Sequence, residues 1–119
     1  MILTIPGRPV PAVRMTQRSK YKSKQAQRYL TYKNEVGWEA KKMWAGKPYE
    51  KDIEVQAVAY LNPKEKDIDV DNLAKAYLDG LNQIAWIDDK QVMKLTVEKR
   101  WVFTNDEQRS VIEIKEVGA

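Results

Sequence analysis

The sequence predicts an α/β chain of the α+β kind: a four-stranded mixed sheet with two helices, in the order β-α-β-α-β-β. Three patterns carry that expectation. Ile53, Val55, Ala57, Ala59 and Leu61 alternate with Glu54, Gln56, Val58 and Tyr60, the period of a half-buried strand. Leu73, Ala76, Tyr77, Leu81 and Ile84 recur at helical spacing immediately afterwards. Ala26, Tyr29, Leu30, Val36, Ala40 and Met43 form a second helical stripe between Lys24 and Trp44.

The elements follow in order. Ile2 to Ile5 is a short strand closed by Pro6-Gly7. Arg8 to Ser23 opens with prolines and then runs basic and polar without periodicity, which reads as a loop; loops this long are usually functional or mobile. Ser23 is a suitable cap for the first helix, and Gly46 and Pro48 end it. After the strand from Ile53 to Leu61, Asn62-Pro63-Lys64-Glu65-Lys66 is a charged turn. Asp71 and Asn72 are good caps for the second helix. Met93, Leu95, Val97, Trp101 and Phe103 share one face of the next strand, interrupted by Lys99. Thr104 to Gln108 is a polar turn, and Arg109 to about Val117 is a last strand with Ile112 and Ile114 inward. Trp38 and Trp44 could line a dimer contact or complete the core, and the core is the expectation. Helices would cover one face of the sheet.

At 119 residues the chain reads as one domain, 1–119, large enough for a modest core. It has no cysteine and no histidine, which excludes disulfides, thiolate or imidazole metal ligands, and Ser-His or Cys-His catalysis. A metal would have to be held by oxygen, favouring magnesium, manganese or calcium over zinc. The opening residues are too soon interrupted for a signal peptide, and no apolar run approaches the ~20 residues of a membrane span. A soluble cytoplasmic protein without membrane partners is expected. Net charge is +4, unevenly spread: the first 34 residues carry eight cations (Arg8, Arg14, Arg18, Lys20, Lys22, Lys24, Arg28, Lys33) and no acid. Such an arm suits a polyanion, or simply solubility. Tyr21 within it could stack on a base.

The most distinctive stretch is Asp67-Ile-Asp69-Val-Asp71-Asn72, with Asp88-Asp89 after the helix. Helix capping and dipole compensation would account for Asp71 and partly for Asp69. An EF-hand would need glycine at position six and glutamate at position twelve, where Asn72 and Leu78 stand. An aspartyl-phosphate phosphatase motif should follow an apolar strand, not Lys64-Glu65-Lys66. Clustered carboxylates repel unless a cation lies between them, so a divalent-metal site is the stronger reading. If the turn after Trp86 folds back, Asp89 comes near the start of the helix. Such a site can support phosphodiester hydrolysis, with magnesium polarising a phosphoryl oxygen and acidifying a bound water. Lys75, one turn into the helix, could offset charge on the phosphate, or merely pair with Asp71. Asp71, Lys75 and Asp79 are stacked four residues apart.

The run Asp69-Val-Asp71-Asn72-Leu73-x-Lys75-x-x-x-Asp79-x-Leu81, followed by Trp86-Ile-Asp88-Asp89-x-Gln91-Val92, resembles the RusA family of Holliday-junction resolvases of bacteria and phages. The specific match covers about 25 residues, extended more loosely by chain length, element order and the basic N-terminal loop; Ile5-Pro6-Gly7-Arg8-Pro9 is a weaker likeness to phage-type members. The resemblance implies a small homodimer that cuts four-way DNA junctions with Mg²⁺, or Mn²⁺ as a substitute, and needs no small-molecule cofactor. It implies Asp69, Asp71 and Asp89 as metal ligands, Lys75 as the catalytic lysine and Asn72 in support at the DNA. Asp79 matches a family position, whereas Asp67 has none. Lys64, Glu65 and Lys66 stand where some members carry arginines. On this reading the arm, with Arg8, Arg14, Arg18, Lys20, Lys22 and Lys24, binds phosphates of branched DNA. The alternatives are a non-catalytic basic DNA-binding protein, indifferent to magnesium, and a metal-dependent nuclease of flaps or nicks.

Overall fold

The computed structural model describes residues 1–13, 23–44 and 46–118. Four strands, β1 (Ile2–Pro6), β2 (Ile53–Leu61), β3 (Val92–Trp101) and β4 (Arg109–Glu116), form one sheet in the order β1-β4-β2-β3. β2 and β3 are parallel, and the other neighbours are antiparallel, so the sheet is mixed as expected. Two helices, α1 (Lys24–Met43) and α2 (Val70–Leu81), complete the predicted order. Parallel strands need a crossover, and α2 supplies it between β2 and β3.

Alternation decides which face is buried. Ile53, Val55, Ala57, Ala59 and Leu61 are fully buried with Leu3 and Ile5 of β1 and Ile112 and Ile114 of β4. Leu73, Tyr77 and Leu81 of α2 and Tyr32, Val36 and Ala40 of α1 close over that face. Ser23 caps α1 as expected, its hydroxyl accepting from Ala26 N at 3.3 Å. Polar order runs through the core as well. Tyr32 and Tyr77 both bond Ser110 Oγ, at 2.8 and 2.5 Å, so three buried hydroxyls satisfy one another. Burial pushes the Tyr77 phenol up to about 12 and the Tyr32 phenol well above its ordinary value.

The helices touch where each has a glycine. A Cβ on Gly80 would lie 2.8 Å from Val36 Cγ1, and one on Gly37 would lie 2.7 Å from Ile84 Cδ1 and 3.2 Å from Gly80 O. Only glycine permits this approach.

Several apolar residues depart from expectation. Trp38 is 62% exposed rather than core, and Met43 is exposed too; Trp44 is half-buried, stacked on Tyr49 with ring centroids 4.8 Å apart. Tyr32 takes the core position instead, because α1 turns that side toward β4. On β3, Leu95 and Val97 pack on the core, but Met93 and Trp101 overhang its ends, and Phe103 lies beyond the strand, exposed. No helix of the described residues is long and apolar enough to cross a membrane.

Candidate active site

The chain leaves the C-terminal end of β2 and reaches α2 through residues 62–69. That loop is held from two sides. Gln108 at the start of β4 is buried, and its Oε1 accepts from Asn62 N at 2.9 Å and from Arg8 Nη1 at 2.7 Å. Arg8 also reaches Glu65 at 3.2 Å and donates to the carbonyl of Lys66. From β3, Lys99 Nζ donates to Asp67 Oδ1 at 3.0 Å and to the Ile68 carbonyl at 2.9 Å. The ammonium beside it, helped by a bond from Ile68 N, holds the Asp67 carboxyl below its usual range. Ile68 is buried between these anchors.

The loop delivers Asp69 and Asp71 to the start of α2. Asp69, not Asp71 or Asn72, is the N-cap residue; its carbonyl accepts from Asn72 N and Leu73 N at 3.2 Å, while its side chain makes no capping bond. Capping chemistry therefore does not explain the Asp69 carboxylate. It is exposed and bonds no described residue, and among the described residues Asp71 accepts only from Asn72 N, at 3.0 Å. Both sit at the positive end of the helix dipole, which favours their ionised forms. Lys75 is exposed one turn on and pairs with no described acid, so the Asp71–Lys75 ion pair is not formed. Asp79, one further turn along, accepts the Tyr29 hydroxyl and ties α2 to α1.

Asp88 and Asp89 are placed elsewhere. α2 runs away from the two free aspartates for 12 residues, roughly 18 Å at helical rise. The chain then turns at Trp86, and β3 starts beside the beginning of β2, with Val92 opposite Ile53. Gln91 Nε2 confirms the location by donating to the Tyr49 and Lys51 carbonyls at 2.8 and 2.9 Å. The turn after Trp86 thus does not fold back to the helix start, and Asp89 lies at the opposite end of the β2–β3 pair. The physical reason is the parallel pairing, which obliges the crossover to return to the far end before β3 can begin. Asp88 caps a 3-10 turn, accepting from Lys90 N at 2.8 Å. Asp89 Oδ1 accepts from the indole of the fully buried Trp86 at 2.8 Å, leaving its second oxygen without a bond to a described residue. Among the described residues no three acids come together as a metal site.

The chemistry of these donors fits a hard divalent cation: Asp69 and Asp71 both present exposed carboxylates at the start of α2. Two carboxylates on one chain leave such a site short of the third ligand that the sequence suggested.

Of the expected DNA-binding cations, Arg8 is drawn into the clasp and is not a free arm residue; its guanidinium is consumed by Glu65, Gln108 and Lys66. Lys24 is exposed at the start of α1. Arg14, Arg18, Lys20 and Lys22, and with them Tyr21, lie outside the described residues. Their attachment is defined on one side: Ala12 N donates to the Asn72 carbonyl at 3.0 Å, tying the segment before them to the start of α2. A cleft beside it is lined by Arg28, Lys66, Asp67 and Ile68. Sequence reasoning missed Lys99 and Gln108. The available signal was Lys99 itself, a charge on the inward face of an otherwise apolar alternation.

No curated protein matches the chain. The family model described as endodeoxyribonuclease RusA matches residues 6–115, which takes in the loop clasp, both acidic positions, both helices and strands β2, β3 and nearly all of β4. The chain belongs to the RusA endodeoxyribonuclease family, the Holliday-junction-resolving hydrolases.

Proposed function

We propose that this chain is a divalent-metal-dependent resolvase that cuts four-way DNA junctions as a homodimer, each active centre being shared between two subunits. The observation that carries this reading is the division of the acids. Asp69 and Asp71 stand at one end of the β2–β3 pair with no side-chain partner among the described residues, and Asp89 is oriented by Trp86 at the other. A twofold partner offers its Asp89 where one chain cannot. Bound Mg²⁺, or Mn²⁺ in its place, would polarise the scissile phosphate and acidify the attacking water.

The residues do the rest. Asp69 and Asp71 of one subunit and Asp89 of the partner would supply the hard oxygen ligands that hold the cation. The Trp86 indole fixes the Asp89 carboxylate as an outer-shell donor does. Lys75, exposed, without an ion-pair partner among the described residues and one turn along the same helix, offsets charge building on the phosphate or the leaving oxygen. The basic segment tethered through Ala12, with Lys24 and Arg28 at its far side, grips flanking phosphates, so affinity falls steeply with salt.

Two measurements test this. A labelled four-way junction, beside linear duplex and flap controls, should show paired symmetric nicks with Mg²⁺ and none with EDTA. Equal cutting of flaps would replace junction selectivity by a broader nuclease. The second measurement mixes inactive Asp71→Asn protein with inactive Asp89→Asn protein. A shared site predicts that nicking returns, because every mixed dimer holds one intact centre. No recovery after subunit exchange would show that the three acids do not act across the dimer.

A further inference from the structure

We infer that the two subunits join through the outer edges of their β3 strands, paired antiparallel about Thr96, making one continuous eight-stranded sheet. The inference rests on the shared-centre reading above and names the surface that would create it. β3 is the last strand of the sheet, ten residues long, and no described strand pairs with its outer edge. Proline and bulges, two ways of blunting such an edge, do not occur along its length, except for the register shift at its start. An inward lysine is another such guard, but Lys99 is occupied by Asp67 and the Ile68 carbonyl. Around the edge, Ile87, Met93, Trp101 and Phe103 are 53 to 89% exposed, an apolar border at the two ends of the strand.

Symmetry and pleat restrict the register. A twofold axis perpendicular to the sheet keeps both pairs of helices on one side, and residues opposite each other must share a face. The axis therefore passes through a residue and not between two. Centred on Val97, Lys94 would face the partner's Arg100, two like charges opposed twice over. Centred on Thr96, Lys94 faces the partner's Glu98 and Leu95 faces the partner's Val97, each pairing occurring twice. The second register is complementary in both charge and apolarity.

This register has a consequence for the acids. Antiparallel pairing sets the beginning of one β3 against the end of the other, so that the turn carrying Asp89, just before β3, comes to the end of the partner's sheet where its β3 finishes at Trp101. That is the end of the sheet at which Val102 N bonds Leu61 O and the loop to Asp69 departs. The pairing thus carries Asp89 from the wrong end of its own sheet to the right end of its partner's.

The chain has no cysteine, so a single introduced thiol reports cleanly. Thr96→Cys should crosslink to itself under mild oxidation in near-full yield, since residues facing each other in antiparallel strands have Cα atoms about 4.5–5.5 Å apart, within disulfide reach. Thr4→Cys, at an exposed position of β1, serves as the control and should not crosslink. Lys94→Glu alone should weaken dimerisation in sedimentation on the order of 10-fold, and the double swap Lys94→Glu/Glu98→Lys should restore it. A dimer that forms normally while Thr96→Cys stays unlinked, or that ignores both charge changes, overturns the β3 pairing. Complementation by the two aspartate variants then still decides the shared centre independently. Crosslinking without complementation would uphold the pairing and sink the shared centre.

Discussion

The two ends of the β2–β3 pair are made from the same residue types and are wired in opposite ways. At the C-terminal end, the supporting groups are all satisfied: Arg8, Gln108, Asn62 and Lys99 hold the loop, while Asp69 and Lys75 stand without partners among the described residues. At the N-terminal end the acids themselves are engaged, Asp88 in a cap and Asp89 with Trp86. Charged groups left free on a braced backbone are available for chemistry, and charged groups given a hydrogen-bond donor are aimed. The comparison separates reactive carboxylates from an oriented one that must act at a distance from its own fold.

Breaking the first end should have the largest effect. Asp71→Asn should keep junction binding by gel shift and lose cleavage by more than about 100-fold, above what outer-shell changes cost. Loss of binding with unchanged cutting per bound complex would refute that role. Removing the brace is milder. Lys99→Met frees Asp67 and the Ile68 carbonyl, and we expect cleavage to fall by about 10-fold, within the outer-shell range, with a raised Mg²⁺ requirement and unaltered junction affinity. A fall that saturating Mg²⁺ leaves in place would argue for simple unfolding of the loop.

How much of this was legible in the sequence follows from which forces are local. β2 and α2 were readable because their apolar periods are strict, and Ile53 to Leu61 and Leu73 to Leu81 are buried as their spacing demanded. The aspartate cluster was readable as an anomaly of charge. Its assembly was not, because whether Asp89 returns to Asp71 depends on the parallel pairing of β2 with β3, a contact no local pattern encodes. Arg8 and Lys99 were misjudged or missed for the same reason: their partners, Glu65 and Asp67, come from a loop distant in sequence. Trp38 erred the other way, its apolarity suggesting burial while its place on α1 faces outward.

Smaller effects sharpen the frame that holds the two ends apart. Gly80→Ala places a methyl against Val36 and the Lys33 carbonyl, and should destabilise the fold by about 1–3 kcal/mol in denaturant titration. Unchanged stability would mean the helices can separate freely. The Tyr32–Tyr77–Ser110 cluster gives the smallest effect at neutral pH. Both phenols titrate above their unfolded value near 10, so their contribution is intact below pH 10 and is lost above it, for Tyr77 as pH rises toward about 12. Tyr77→Phe should flatten that alkaline loss in thermal melts.

The contact between Trp86 and Asp89 also turns the molecule into its own optical instrument. Trp86 is fully buried, whereas Trp38 and Trp101 are largely exposed and Trp44 is half-buried. An enclosed indole emits to the blue of a hydrated one, and its N–H rests on the carboxylate proposed to reach across the dimer. With the other three tryptophans replaced by phenylalanine, the remaining emission would follow the charge state and occupancy of Asp89 alone. Subunit association and cation uptake could then be followed in real time by fluorescence, without a label and without any DNA being cut.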